Sequence, residues 1–100
     1  MRRVLDRVRE ANPQADLALL QRAYAFAAEA HEGQYRRSGE PYVFHAIAVA
    51  EILASLRLDP VTVAAGLLHD VPEDTKHTLE EIRQTFGEEI AALVDGVTKL

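Results

Sequence analysis

The sequence contains no cysteine, and its acidic residues outnumber the basic ones to give a formal net charge of −5. Without cysteine the chain has neither disulfides nor thiolate metal ligands, so any metal ion must be held by histidine, aspartate or glutamate. The acidic balance argues against binding to duplex nucleic acid, because such binding depends on a basic surface that neutralises phosphates. A local basic patch remains compatible with binding of a small anion.

Long apolar runs are absent as well. No segment approaches the roughly 20 apolar residues that span a bilayer, and the Met-Arg-Arg start is not followed by the apolar stretch of a signal peptide. We therefore expect a cytoplasmic protein that does not contact membranes. With 100 residues, 48% of them apolar, the chain is long enough for one small domain and too short for two.

The pattern that is present is helical. Apolar residues recur three and four positions apart between short breaks, and no segment alternates convincingly in the manner of a strand. This periodicity predicts an all-α fold. Six short helices are expected, caps included: Arg2 to Ala11, Asp16 to Gly33, Pro41 to Arg57, Asp59 to Val71, Thr78 to Gly87 and Glu88 to Val94.

The segment "GQYRRSGEPY", Gly33 to Tyr42, reads as a loop because it holds two glycines, a serine and a proline. It carries the neighbouring arginines Arg36 and Arg37. Arginines in a loop are more often solvent-exposed charges than binding residues, so their role stays open at this point. Pro41 suits the first turn of the third helix, in which His45 lies on the apolar face.

The segment "LLHDVPEDT", Leu67 to Thr75, ends the apolar fourth helix in a cluster of polar residues. Pro72 has no N–H for the helix and crowds the preceding turn, so the helix should stop or kink near Val71 and be followed by a turn. Glu73 and Asp74 in that turn are more often solvated carboxylates than catalytic ones. His31 and His77 are assigned to structure or surface.

A buried carboxylate is normally neutralised, paired with a cation or bound to a metal, so Asp70 requires a partner. The third and fourth helices should form an antiparallel hairpin, which places His45 level with His69 and Asp70. Two imidazoles and one carboxylate suit Mn²⁺, Fe²⁺, Co²⁺ or Zn²⁺. A hydrogen-bonded core histidine and an aspartate that caps a helix are the structural alternative, and the spacing alone leaves both interpretations open.

Several separate motifs occur together in one order: "RRSGEPYVFHAIAVAEILA", "HDVPEDT" and "FGEEIAALVDGVTKL". In this combination the sequence resembles the hydrolase domain of the RelA/SpoT homologue family, from about Ala23 to Leu100. The resemblance implies a compact HD-domain helical bundle of five to six short helices. It also implies a Mn²⁺-dependent enzyme, with other divalent metals as alternatives, that removes the 3′-pyrophosphate of (p)ppGpp to give GDP or GTP.

The resemblance also implies roles for individual residues. By position, His45, His69 and Asp70 match three metal ligands of the family. Glu73 and Asp74 match the acidic pair that positions and activates the attacking water. The nucleotide-binding loop of the family corresponds to Arg36, Arg37 and Ser38.

One departure from the family pattern is large. The family has a fourth metal ligand, an aspartate in a later segment resembling "ADRLHNM", and this sequence ends at "GVTKL" before any such segment. Asp95 does not replace this ligand, because the family has an aspartate at the position of Asp95 as well as the fourth metal ligand. We therefore expect residues 1–100 to form a single HD-type domain that is incomplete at its C-terminal end. Apolar surface left uncovered would then favour self-association.

Three functions compete at this stage. The first is the metal-dependent (p)ppGpp pyrophosphohydrolase. The second is a catalytically incomplete domain that binds nucleotide or a protein partner without turnover, which the missing ligand favours. The third is an HD phosphohydrolase for another nucleotide, against which the "RRSGEPY" loop argues.

Overall fold

A computed structural model describes residues 1–98 of the chain. Seven helices occur in this part: α1 Arg2–Ala11, α2 Leu17–Ala30, α3 Val43–Ser55, α4 Pro60–Leu68, α5 Val71–Asp74, α6 Leu79–Phe86 and α7 Glu88–Thr98. The described residues contain no strand, and the all-α helical bundle predicted from the sequence is confirmed. Lys99 and Leu100, the end of the "GVTKL" motif, lie outside the described residues.

The predicted caps explain where several helices begin. The Asp16 side chain accepts a hydrogen bond from the Leu19 N–H at 3.2 Å, and Asp59 does the same for the Thr62 N–H at 3.0 Å. Thr78 and Glu81 form the complete capping box at the start of α6. These side chains satisfy N–H groups that have no partner within the first turn of a helix.

Helix α4 is the centre of the core. Its residues from Val63 to Leu68 are all buried, and it packs against α2, α3 and α7. The approach to α3 is close at Gly66, where an added Cβ would lie 2.5 Å from a methyl group of Leu53. This tight contact holds α4 against α3, the two helices of the predicted hairpin.

Several boundaries differ from the sequence prediction. Helix α7 runs to Thr98 rather than ending at Val94, and the separate short helix α5 makes seven helices where six were expected. Helix α4 ends at Leu68, and the expected turn at Glu73 and Asp74 is instead the end of the one-turn helix α5. Pro72 lies in the first turn of α5, where its missing N–H is not needed and its fixed φ suits the helix. Pro41 lies before α3 rather than in its first turn, because it pairs with Tyr35 in an isolated antiparallel bridge.

That bridge gives the α2–α3 loop its own hydrogen bonds. The Tyr42 N–H donates to the Gln34 carbonyl at 2.9 Å, and the Arg36 N–H donates to the Glu40 carbonyl at 2.9 Å. The Gly39 N–H donates to the Arg36 carbonyl, and Gly39 has a φ of +90°, a conformation that glycine adopts readily. The arginine pair therefore sits on a small hydrogen-bonded hairpin.

The surface bears on two further expectations. Apolar side chains are exposed near the C-terminal end of α3, where Ile52 is 60% and Leu56 65% exposed, and self-association stays a prediction. None of the helices in residues 1–98 is long and apolar enough to cross a membrane.

Candidate metal and active site

Two imidazoles and one carboxylate meet where the start of α3 faces the end of α4. One ligand atom from each of His45, His69 and Asp70 lies within 4.8 Å of the others, and this is the metal-type cluster found among the described residues. The Asp70 Oδ2 atom is 3.1 Å from Nε2 of His69 and 3.6 Å from Nε2 of His45. All three side chains are mostly buried, with exposures of 31%, 15% and 21% for His45, His69 and Asp70.

The ring of His69 is oriented for ligation. Its Nδ1 lies 2.6 Å from the Gly66 carbonyl, which can only accept, so Nδ1 carries a hydrogen and, in the neutral ring, Nε2 has a lone pair. That lone pair faces the Asp70 carboxylate, and two acceptors at this distance need a cation or a proton between them. A histidine fixed through its other nitrogen by a backbone carbonyl is the usual arrangement of a metal ligand.

The ring of His45 has a different partner. Nη1 of Arg36 lies 2.9 Å from its Nδ1, and because a guanidinium only donates, Nδ1 is the acceptor. Nε2 then carries the hydrogen and points toward Asp70. Ligation of a metal through Nε2 requires the opposite tautomer, in which Nδ1 carries the hydrogen. Nδ1 can then no longer accept a hydrogen bond from Arg36. The Arg36 contact and ligation by His45 are therefore mutually exclusive.

Tyr42 joins this cluster to Asp74. Its hydroxyl lies 3.0 Å from Oδ2 of Asp70 and 3.0 Å from Oδ2 of Asp74. Burial, followed by the hydrogen bonds to the two aspartates, raises the pKa of the Tyr42 hydroxyl well above its ordinary value, so the hydroxyl stays a donor. The sequence analysis missed Tyr42. The available signal was an aromatic residue with a polar tip three positions before His45.

The two members of the predicted acidic pair differ in their surroundings. Asp74 is connected to the ligand cluster through Tyr42. Glu73 is exposed, and within residues 1–98 its carboxylate has no hydrogen bond or ion pair. His77, assigned to structure or surface, lies 2.8 Å from Glu81 through Nδ1.

A cavity of about 590 Å³ opens beside the cluster. Its lining combines two arginines and other polar residues with aromatic side chains, and His45 belongs to both the cavity and the ligand cluster. The lining residues are Arg36, Arg37, Ser38, Glu40, Tyr42, Phe44, His45 and Ala48. The structure thus brings the three predicted loop residues to the same cavity as one of the predicted ligands.

An all-helical fold with two histidines and an aspartate converging from two helices defines a helical protein with a candidate divalent-metal site. A family model described as HD domain matches residues 23–100, and the chain belongs to this family. HD hydrolases depend on divalent metals, and the cluster at His45, His69 and Asp70 is a candidate for such an ion.

Named relatives narrow the family. The chain is 52% identical over 88 residues to the bifunctional (p)ppGpp synthase/hydrolase SpoT of Escherichia coli, which covers 88% of this chain and 12% of the relative. It is 50% identical over 93 residues to a GTP pyrophosphokinase of Myxococcus xanthus, covering 93% of this chain and again 12% of the relative. The chain therefore spans about an eighth of the length of these curated relatives, and the resemblance to the RelA/SpoT hydrolase domain is confirmed.

A solved structure agrees. The chain superposes on a metazoan orthologue of SpoT, described as hydrolysing ppGpp, with a TM-score of 0.75 and 36% sequence identity. The match covers 80% of this chain and 47% of the other. Both the helical fold and the family are therefore supported by sequence and by structure.

Proposed function

We propose that the chain is a metal-dependent hydrolase that adds water across the 3′-pyrophosphate linkage of (p)ppGpp, releasing pyrophosphate and leaving GDP or GTP. Mn²⁺ is the proposed metal. The observation that carries the proposal is the position of His45, which belongs both to the candidate ligand cluster and to the arginine-lined cavity. The proposed substrate is the one on which the SpoT relatives are described as acting.

The donor set supports the metal assignment. His45, His69 and Asp70 offer two nitrogen atoms and one oxygen atom within reach of one ion, and the lone pair of His69 already faces the carboxylate. Nitrogen and carboxylate ligands suit borderline divalent cations, among them Mn²⁺. When bound, such an ion polarises a phosphoryl oxygen and lowers the pKa of a coordinated water.

The acidic residues of α5 are proposed to handle the proton. Asp74 lies next to the ligand cluster through Tyr42 and can orient the attacking water and accept its proton. General acid–base assistance of this kind contributes about 10²- to 10⁴-fold in rate. Glu73, adjacent on the same one-turn helix, is proposed as the second member of the pair.

The loop residues are proposed to bind the nucleotide. Arg36 and Arg37 can pair with phosphates in a bidentate manner and lie flat against a base, which a lysine cannot do. Ser38 adds a hydroxyl at the same cavity wall. This local positive charge accounts for binding of a polyanion by a chain whose net charge is −5.

The test is product analysis with the 100-residue chain. ppGpp is incubated with Mn²⁺ across a range of protein concentrations, and guanine nucleotides and pyrophosphate are separated by anion exchange. We expect GDP and pyrophosphate in equal amounts, no orthophosphate, and complete loss of turnover with EDTA. GTP, which lacks a 3′-pyrophosphate, serves as the matched control substrate and should remain intact.

Other outcomes point to the competing functions. Saturable binding of ppGpp by a folded sample without product would support the nucleotide-binding domain that lacks turnover. Hydrolysis of another nucleotide in preference to ppGpp would support a different HD phosphohydrolase. Either result contradicts the proposal.

A further inference from the structure

We propose that Tyr42 is a positioning residue whose hydroxyl fixes the metal ligand Asp70 and the acid Asp74 relative to each other. The inference rests on the proposed function for the meaning of those two carboxylates. The contacts of Tyr42 do not depend on the proposed function, so the role of Tyr42 and the proposed function can be tested separately.

The hydroxyl of Tyr42 joins residues that belong to different parts of the site. Asp70 precedes α5 and Asp74 ends it, and each presents its Oδ2 atom 3.0 Å from the same phenolic oxygen. The two carboxylate oxygens are therefore no more than twice that distance apart. A hydroxyl has a single hydrogen, so both carboxylates share one donor. The phenol therefore ties the two carboxylate oxygens to one common position.

The phenol is itself held firmly. Its ring packs on the buried ring of His31, with the two centroids 4.8 Å apart, and meets the edge of His45 at 5.8 Å. His31 is 2% exposed. The backbone N–H of Tyr42 donates to the Gln34 carbonyl at 2.9 Å. Both the ring and the main chain of Tyr42 are thus held in place by contacts other than those of the hydroxyl with the carboxylates.

Gln34 provides a second connection between the loop and Asp74. The Gln34 side chain donates to the Asp74 carbonyl at 2.6 Å and accepts from Nδ1 of His31 at 2.9 Å. Gln34 therefore holds the backbone of Asp74 while Tyr42 holds its carboxylate. Groups of this kind, which orient ligands without binding the ion, commonly change metal affinity or activity by about 10- to 100-fold when mutated.

The first experiment examines the bridge without any metal. Unfolding equilibria are measured in EDTA for the wild type, Tyr42→Phe, Asp74→Ala and the double variant, because phenylalanine keeps the ring and removes only the hydroxyl. We expect coupling: the effect of Asp74→Ala on the unfolding equilibrium constant should differ between the two backgrounds by about threefold or more. Tyr24→Phe is the matched control, since its hydroxyl has no hydrogen bond in the described structure and should not couple to Asp74.

The second experiment measures Mn²⁺ binding directly, by the loss of the free-ion EPR signal. Tyr42→Phe should bind Mn²⁺ about tenfold more weakly than the wild type, whereas Tyr24→Phe should bind it equally well. In ppGpp hydrolysis at saturating Mn²⁺, Tyr42→Phe should lower kcat and leave KM nearly unchanged. A purely structural role would reduce stability in EDTA without this split between kcat and KM.

The results separate the two proposals. Additive unfolding effects, or Mn²⁺ affinity equal to that of the wild type, would overturn the role of Tyr42 even if the wild type hydrolyses ppGpp. Coupling together with weakened Mn²⁺ binding would support that role even if no ppGpp is hydrolysed, in which case only the proposed function is wrong.

Discussion

The two sides of the candidate site are built differently. The corner between α4 and α5 carries His69, Asp70 and Asp74, and these alternate with fully buried residues: Leu68 and Val71 are both 0% exposed. The loop from Gly33 to Tyr42 carries the arginines, and its side chains are largely exposed, with Tyr35 at 66%. One side is fixed by the core and the other by a few hydrogen bonds of its own.

This structural difference is consistent with different roles for the two sides of the site. Metal ligands and a proton acceptor must keep their geometry within fractions of an ångström, which a packed core provides. Residues that admit and release a nucleotide benefit from a surface position. The comparison therefore predicts that changes at the corner, and at Tyr42, which contacts it, act on metal binding and kcat. Changes at the exposed arginines of the loop should act chiefly on nucleotide affinity.

The largest effect is expected at the corner, from Asp70→Asn. The amide keeps the shape and can still accept from Tyr42, but it loses the negative charge that faces His69. We expect Mn²⁺ binding by EPR to fall below detection and ppGpp turnover to disappear. The far-UV CD spectrum should be unchanged. Asp6→Asn, at a partly exposed site on α1, is the control and should retain full Mn²⁺ binding.

The next effect separates the acidic pair. Asp74→Asn should lower kcat by about 10²- to 10⁴-fold because the proposed proton acceptor next to the ligand cluster is lost. Glu73→Gln, the neighbouring substitution of the same type, should reduce kcat less, since Glu73 is not connected to Tyr42. Steady-state kinetics at saturating Mn²⁺ measure both. Equal losses would show that the contact with Tyr42 does not distinguish the two acids.

A substitution in the loop should change the affinities for Mn²⁺ and for ppGpp in opposite directions. Arg36→Met removes the donor that holds His45 in the tautomer unsuited to ligation, and it removes a positive charge beside the metal site. Mn²⁺ should then bind a few-fold more tightly, while affinity for ppGpp falls about tenfold or more, as expected for lost charge-assisted hydrogen bonds. Isothermal titration measures both affinities.

Arg37→Met provides the matched control for that prediction. The substitution removes the same charge from the same loop, but the guanidinium of Arg37 forms no hydrogen bond with His45. It should weaken ppGpp binding and leave Mn²⁺ affinity close to that of the wild type. If both arginine variants tighten Mn²⁺ binding equally, then general electrostatics rather than the His45 tautomer controls the ligand.

The sequence was sufficient for the parts of the site that local rules determine. Helix caps at Asp16, Asp59 and Thr78 follow from side-chain chemistry within one turn, and the buried face of α4 follows from its composition. The hairpin of α3 and α4 then brought His45 near Asp70, as expected. Tyr42 could not be found in this way.

The contacts of Tyr42 span 28 and 32 positions of sequence, so they depend on how the loop folds back over α5. The same is true of the link from Gln34 to the Asp74 carbonyl, which spans 40 positions. Pattern and propensity describe neighbours along a helix or strand and do not report on such pairs. The tautomer of His45 was equally out of reach, because it depends on the direction from which Arg36 approaches.

The smallest effect is expected far from the ligands, at the other end of α4. Asp59→Ala removes the N-cap, which should reduce the free energy of unfolding by about 1 kcal/mol and leave Mn²⁺ affinity and kcat unchanged.

Hydrogen bonds from the side chain and backbone of Thr62 lower the pKa of Asp59 below its ordinary value of 3.8. A lowered pKa stabilises the folded chain above the ordinary value, and this contribution disappears as the pH falls through the folded-state pKa. The stability difference between wild type and Asp59→Ala should therefore narrow below about pH 4, whereas Asp59→Asn, which still caps the helix, should lack that pH dependence. Urea unfolding between pH 3 and pH 7 measures all three proteins, and a loss of Mn²⁺ affinity in Asp59→Ala would contradict the view that the core, rather than each cap, fixes the ligand corner.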